Sequence, residues 1–146
     1  MNTVYMVFQQ AMFFTIPLLL VALGGMFSER SGIINIALEG IMIMGAFTSI
    51  LFISLTSGRM SGQLQLILAI LIAAGTGVVF SLFHAFASIN MKADQTISGT
   101  ALNMFAPAFA IFVARRITGT QQIQFANTFR IASVPVLGDI PVIGDL

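Results

Sequence analysis

Four long stretches without Asp, Glu, Lys or Arg constrain this chain more than any other feature of its sequence. They cover residues 1–28, 40–58, 60–91 and 95–114. A helix needs about 20 residues, at 1.5 Å each, to cross a hydrocarbon layer of about 30 Å, and each stretch is close to that length or longer. Lipid offers the backbone no hydrogen-bond partners, and the stretches do not alternate apolar and polar residues, so helices are predicted instead of a β-barrel.

The composition supports the same class. Hydrophobic residues make up 58% of the chain and charged residues 8%, whereas a soluble domain carries about 25% charged residues. We therefore predict an all-α, polytopic transmembrane helical bundle in the cell membrane. Its four spans are placed at residues 4–27, 33–56, 64–89 and 97–114, and short connections make consecutive spans antiparallel neighbours. Residues 1–10 contain no positive side chain, which argues against a cleaved signal peptide.

The tail, residues 115–146, changes character. Arg115 and Arg116 end the fourth span, and the sequence PVLGD at 135–139 is repeated as PVIGD at 141–145. The spacing of Pro and Gly favours turns or an extended loop over a fifth helix.

Small side chains recur every four residues along the third span. Residues at this spacing share one helix face, and small side chains allow a second helix to approach closely in lipid. A stripe for helix packing is the main interpretation, and a path for a solute is the alternative; the stripe consists of Ala69, Ala73, Gly77, Ser81 and Ala85. His84 lies beside the stripe, as a packed hydrogen-bonding residue or as a proton relay.

The second span opens with the polar sequence ERSGIINIALEG, residues 29–40. Asn35 and Glu39 are four residues apart and are predicted to share a helix face, while Gly32 and Gly40 allow unwinding or close backbone contact. A carboxylate at this position can lie at the membrane surface and tie helices together. It can also belong to a broken helix that borders a translocation pathway, a device common in transporters.

A second polar sequence, KADQTISGTALN at residues 92–103, precedes the fourth span. Gln95, Gly99 and Asn103 are spaced by four and are predicted to line one helix face, with Ser98 as a further candidate for the pathway. Asp94 in the first turn suits the positive end of the helix dipole. Capping with interhelical hydrogen bonding, and direct lining of a pathway, both remain open for this face.

The two polar sequences carry a specific resemblance. LGGMFSERSGIINIALEGIMIMGAF (23–47) and HAFASINMKADQTISGTALNMFA (84–106) are similar to the permease subunits of ABC importers for nucleosides and simple sugars. The tail sequence IPVIG also resembles that family's loop before its next span, whereas Ala37 stands where the family usually has glycine. Residues 1–146 would then be the N-terminal part of a single transmembrane permease domain.

The resemblance implies several partners: a second permease subunit, a cytoplasmic ABC ATPase, a substrate-binding lipoprotein and a nucleoside or simple sugar as the solute. The chain contains no G-x-x-x-x-G-K-[ST] phosphate loop, so it would need a partner to use ATP. With one His, no Cys and a net charge of +1, we predict no enzyme activity, no cofactor, no metal site and no nucleic-acid binding.

Two other functions compete with an ABC permease. The chain could be an intramembrane assembly module whose polar residues only join helices. It could also be an ion-coupled secondary transporter, in which Glu39 or His84 would couple to an ion or a proton.

Orientation and completeness are further expectations. The positive-inside rule favours a cytoplasmic N-terminus, because Arg59, Arg115, Arg116 and Arg130 outnumber Arg30 and Lys92; the resemblance implies the reverse. The family is about twice as long as this chain, so we expect an incomplete permease that does not transport alone.

Overall fold

Four long helices make up most of the protein. The computed structural model describes residues 2–60 and 62–123, so the repeat at 135–145 lies outside the described residues. The helices are α1 (Asn2–Arg30), α2 (Leu38–Thr56), α3 (Gly62–Ala85) and α4 (Gln95–Thr118), and a π-helical segment (Phe86–Asn90) extends α3. All four are long and apolar enough to cross a membrane, which confirms the predicted all-α class and a multi-pass membrane protein.

Helices α2 and α3 form the best-packed pair, an antiparallel hairpin. A Cβ added to Gly45 would lie 3.3 Å from the carbonyl oxygen of Ala73, so glycine lets the two backbones approach closely here. One turn further along, the hydroxyls of Thr48 and Thr76 lie 2.9 Å apart. The small-residue stripe of α3 therefore packs on α2 through its N-terminal half, where Ala69 is also buried.

The hairpin is closed at its other end by a buried amide. The Gln65 side chain is fully buried, and its Nε2 donates to the carbonyl oxygen of Ile53 and to Oγ1 of Thr56, both at 2.9 Å. These bonds satisfy polar groups in the last turn of α2, where a helix leaves carbonyl groups without intrahelical partners.

Helix α4 runs parallel to α2, and within the described residues it makes no contact with α1. Gly40 meets Asn103 near the start of the pair, and Phe47 and Ile50 of α2 lie with Ala110 and Ala114 of α4 further along. Helix α1 packs against the bundle mainly near its C-terminal end, where a Cβ on Gly25 would lie 2.9 Å from Leu38 Cδ1. Most of its apolar side chains are exposed, as expected where lipid or another membrane segment is the neighbour.

The boundary between the first two spans differs from the sequence-based placement. Helix α1 continues to Arg30, and α2 begins only at Leu38, five residues after the predicted start at 33. Residues 31–37 are not helical. Hydropathy did not reveal this interruption, because Ile33, Ile34 and Ile36 are as apolar as the helix that follows.

Candidate functional site

The candidate site is built around the non-helical segment 31–37. Helix α1 ends where Gly32 takes a φ of +88°, a left-handed conformation that other residues rarely adopt. Ser28 then holds the chain as it turns: its carbonyl oxygen accepts from Ile33 N–H at 3.3 Å, and its hydroxyl donates to the Ile33 carbonyl oxygen at 2.9 Å. The segment that follows carries backbone groups that no helix pairs.

One face of α4 supplies partners for that backbone. Gln95 Oε1 accepts from the Ile34 N–H at 2.7 Å. Two turns further, Asn103 Nδ2 donates to the Ile36 carbonyl oxygen at 2.8 Å, and its Oδ1 accepts from the Gly40 N–H at 2.7 Å. Both amide side chains that the sequence placed on this face of α4 are therefore engaged with the main chain of the segment and of the first turn of α2.

Close backbone contact makes this arrangement possible. A Cβ on Gly99 would lie 2.9 Å from Ile36 Cβ and 3.0 Å from Ala37 N, and a Cβ on Gly40 would lie 2.7 Å from the Leu102 carbonyl oxygen. Ala37, between these glycines, has no exposed surface. The main chain of the α4 face and the main chain of the segment are consequently in direct contact. Positions 40 and 99 have no space for a side chain, and position 37 has space for a methyl group.

His84 closes the site from α3. Its side chain is 2% exposed; Nε2 lies 3.4 Å from the Ile34 carbonyl oxygen and Nδ1 lies 3.2 Å from Ser98 Oγ. A carbonyl oxygen only accepts, so Nε2 carries the donated proton, and in the neutral ring Nδ1 accepts from the serine hydroxyl. His84 thus links α3 to the segment through the Ile34 carbonyl oxygen and to α4 through the hydroxyl of Ser98.

Asp94 fixes the start of α4. Its Oδ1 accepts from the backbone N–H groups of Thr96 and Ile97, at 2.8 and 3.1 Å, and it is the N-cap residue of the helix. A capping carboxylate pairs donors that the helix leaves open and also suits the dipole. Asp94 therefore caps α4, whereas Gln95 and Asn103 bind main-chain groups of the segment and of Gly40.

The segment brings the start of α2 well inside the bundle. Gln95 and Arg115 lie in the first and last turns of α4 and are 20 residues or about 30 Å apart, close to the hydrocarbon thickness. Gly40 is bound to Asn103, eight residues from Gln95, and therefore lies about 12 Å along α4 from that residue. The first turn of α2, with Glu39, therefore lies level with the third turn of α4.

Asn35 and Glu39 occupy different environments from the one expected. Asn35 precedes α2 and does not share a helix face with Glu39, because its Oδ1 accepts from Ala37 N–H at 3.1 Å and closes a local turn. Glu39 is in the first turn of α2 and is exposed. Among the described residues neither the Glu39 carboxylate nor Asn35 Nδ2 has a hydrogen-bond partner or an ion pair.

A second concave region lies between α1, α2 and α3. It is a groove of about 1070 Å³ with an almost wholly apolar lining that includes Gly24, Gly45 and the C-terminal half of the stripe, Gly77, Ser81 and Ala85. Its chemistry suits hydrocarbon or another helix, and it offers few polar groups to a hydrophilic solute. The polar site and the groove are therefore separate features of the bundle.

Sequence reasoning missed the partner of the polar side chains. It paired them with other helices or a solute, whereas the structure pairs Gln95, Asn103 and His84 with peptide groups of residues 34–40. The signal was the pair of glycines at positions 40 and 99: Gly40 faces the main chain of Leu102, and Gly99 faces the main chain of Ile36 and Ala37. Within the part of the chain that is described, no three His, Asp or Glu residues cluster as metal ligands would.

Comparisons with known proteins add a family. Residues 7–137 match the family model of the branched-chain amino acid transport system permease component. The chain is 49% identical over 131 residues to the guanosine ABC transporter permease protein NupQ of Bacillus subtilis, covering 89% of this chain and 41% of that protein. It is 41% identical over 145 residues to the nucleoside ABC transporter permease protein NupC of Lactococcus lactis, covering 99% and 45%.

A more distant relative is the putative glucose ABC transporter permease protein TsgC13 of Haloferax volcanii, 32% identical over 128 residues, which cover 84% of this chain and 37% of that protein. The chain thus spans less than half the length of these relatives. No solved structure shows significant similarity to it.

Proposed function

Because this chain belongs to the family of branched-chain amino acid transport system permease components, we propose that it forms part of the translocation pathway of an ABC importer for nucleosides or simple sugars. The names of the relatives NupQ, NupC and TsgC13 refer to guanosine, nucleosides and glucose. These are neutral, hydroxyl-rich solutes, and the alignments with the three relatives extend over most of this chain. The names therefore support that solute class.

The observation that carries the proposal is the unwound segment 31–37, which lies between two helices of membrane-spanning length and packs on α4 through Ala37. An unpaired peptide group in hydrocarbon costs several kcal/mol, so irregular backbone at membrane depth is tolerated where it is buried in protein or lines a water-filled cavity. Gln95, Asn103 and His84 pair one side of the segment. The backbone N–H groups of Asn35 and Ile36 have no partner among the described residues, which supports water or solute on the other side.

The candidate residues then divide by role. Gln95, Ser98 and Asn103 are positioning residues, since their side chains are engaged with the segment or with His84. Asn35 and Glu39 border the pathway, because their remaining polar atoms are open. Gly40 and Gly99 permit the contact between α4 and the segment, and Gly32 permits the turn that leads into it.

The proposal includes partners that act outside the described bundle. A second permease subunit completes the pathway, a cytoplasmic ABC ATPase supplies the energy, and a substrate-binding lipoprotein delivers the solute. The exposed apolar side chains of α1 support contact with lipid or a further membrane segment.

The test is uptake of radiolabelled guanosine by proteoliposomes that contain the complete permease, its ATPase and its binding protein. We expect uptake that requires ATP and persists when proton and sodium gradients are collapsed. Uptake that follows an ion gradient and ignores ATP would favour the secondary transporter, with Glu39 or His84 as the coupling group.

The assembly module makes a different prediction for the same preparation. If the polar residues only join subunits, then Asn35→Ala and Glu39→Gln complexes that assemble normally would transport normally. Loss of uptake in a variant that still inserts and binds its partners supports the pathway. Matched Glu29→Gln, which removes a carboxylate at the end of α1, is the control.

A further inference from the structure

We propose that one end of the bundle, which we call the arginine end, binds the phosphate groups of anionic phospholipids. It consists of the connection between α2 and α3 and the last turn of α4, and it carries Arg59, Arg115 and Arg116. The inference concerns the lipid that surrounds the protein and does not depend on which solute the transporter carries. It starts from the way charged side chains are divided between the two ends of the bundle.

The described charges are distributed unequally. Because α2 and α4 run parallel and α3 runs antiparallel to α2, the C-terminal ends of α2 and α4 lie at the same end of the bundle as the start of α3. Three arginines, and no acidic residue among those described, lie there. The other end holds every described acidic residue and the two remaining described cations: Glu29, Glu39, Asp94, Arg30 and Lys92. One end of the described bundle is therefore strongly positive, whereas the other is close to neutral.

The arginine side chains are available for an anion. All three are exposed, and within the described residues Arg59 and Arg116 form no hydrogen bond or ion pair through their side chains. Arg115 contacts the side-chain amide of Gln121, whose oxygen, in the orientation that satisfies both groups, faces the guanidinium. A guanidinium presents a planar fork of N–H donors that fits two phosphate oxygens at once. Since no described carboxylate lies at this end to pair with them, the guanidinium groups remain suited to phosphate.

Exposed apolar side chains beside the arginines favour a lipid over a soluble partner. Leu55 lies in the last turn of α2, Leu64 in the first turn of α3 and Ile117 in the last turn of α4, and all three are exposed. An arginine near the end of a membrane-spanning helix covers apolar surface with its stem and extends its charged group to the headgroups. A phospholipid offers acyl chains and a phosphate in one molecule, whereas a soluble acidic protein offers only the charge.

The experiment measures the binding of individual lipids to the purified complete permease subunit by native mass spectrometry in a nonionic detergent. Phosphatidylglycerol and phosphatidylcholine with the same acyl chains are titrated separately, so that only the headgroups differ. The test variant combines Arg59→Gln with Arg116→Gln, because these two side chains have no described partner to lose. The matched control combines Arg30→Gln with Lys92→Gln, which removes the same charge from the other end of the bundle.

We expect wild type to bind phosphatidylglycerol more tightly than phosphatidylcholine. An arginine near an anionic lipid surface contributes about 5-fold in affinity, so the double substitution at the arginine end should weaken phosphatidylglycerol binding by about 25-fold. Binding of phosphatidylcholine should change much less, and the control pair should keep the wild-type preference. Raising the ionic strength should reduce that preference in wild type, because salt screens exposed charges.

Several results would overturn the inference. They are equal affinity of wild type for the two lipids, an unchanged preference in the variant of the arginine end, or the same loss in the control pair. If the double variant cannot be purified, the salt dependence of wild type decides, since a preference that high salt leaves unchanged would refute the role of charge.

Two further outcomes would assign the arginine end to another ligand and would also refute the lipid. Glycerol 3-phosphate carries the charged group without acyl chains, and its displacing phosphatidylglycerol at equal concentration would indicate a site for soluble phosphates. A variant that binds phosphatidylglycerol as wild type does, but binds the ATPase more weakly, would indicate a surface for an acidic protein.

Discussion

Replacing Gly40 with alanine should destabilise the site more than the same replacement at any other glycine that the structure describes. The new Cβ would lie 2.7 Å from the Leu102 carbonyl oxygen and 3.0 Å from Asn103 Oδ1. Ordinary contacts begin near 3.4 Å, so α2 and α4 must separate by several tenths of an ångström. The atom in the way is backbone and cannot rotate aside, as the end of a flexible side chain could.

The magnitude follows from two effects. Overpacking of this kind typically costs about 1–3 kcal/mol, and stretching the bond from Gly40 N–H to Asn103 adds roughly 0.5–1 kcal/mol. The higher helix propensity of alanine offsets up to about 1 kcal/mol of this loss in the free energy of unfolding. The net loss in the free energy of unfolding is therefore about 0.5–4 kcal/mol, or roughly 1–16 °C in the thermal midpoint.

The assay is thermal unfolding of the purified subunit in detergent, together with uptake by the complete transporter. Gly75→Ala is the matched control, because Gly75 lies inside α3 and its added Cβ would meet nothing within 4 Å. That variant should be as stable as wild type or slightly more so. If Gly40→Ala matched Gly75→Ala in both midpoint and uptake, the close contact between α2 and α4 would be refuted.

Three further substitutions test other contacts. Asn103→Leu leaves the Ile36 carbonyl and the Gly40 N–H without partners and should lower the free energy of unfolding by about 2 kcal/mol; a change below 0.5 kcal/mol, by the same thermal assay, would contradict the contact. A double-mutant cycle with Thr48→Val and Thr76→Val should give a coupling of about 0.6 kcal/mol, and zero coupling would contradict a shared bond. Asp94→Ala should cost about 1 kcal/mol through loss of the N-cap, whereas Asp94→Asn should cost less than half as much.

The sequence predicted the helices well. In lipid a long apolar segment must pair its own backbone N–H and C=O groups, and an α-helix does this within one segment. The stripe on α3 could also be recognised in the sequence, since small side chains every four residues allow a second helix to approach closely. Thr48 and Thr76 could not be paired in advance. Their meeting depends on the register between α2 and α3, which the closest approach at Gly45 sets.

The site was predicted less completely. The spacing of Gln95, Gly99 and Asn103 correctly indicated one face, but the peptide that this face binds is invisible to hydropathy. The hydropathy of residues 33–37 is the same whether they are helical or unwound. Tertiary partners, chiefly Asn103 and His84, decide which conformation forms. Those partners are 50 or more residues away in sequence from the groups they bind.

The central claim, that the unwound segment borders a water-filled pathway, is tested most directly with a thiol probe. The 146 residues contain no cysteine, so Asn35→Cys introduces a single reactive group into this chain. A membrane-impermeant methanethiosulfonate reacts with a thiolate, which forms in water and is suppressed in apolar surroundings. Ile70→Cys, on an exposed apolar position of α3, is the control for lipid exposure.

We predict that Asn35→Cys in the active transporter is modified from at least one side of the membrane, that guanosine slows its modification, and that Ile70→Cys is left unmodified. An active Asn35→Cys transporter that resists the reagent from both sides, or that reacts at the same rate with and without guanosine, would contradict the account.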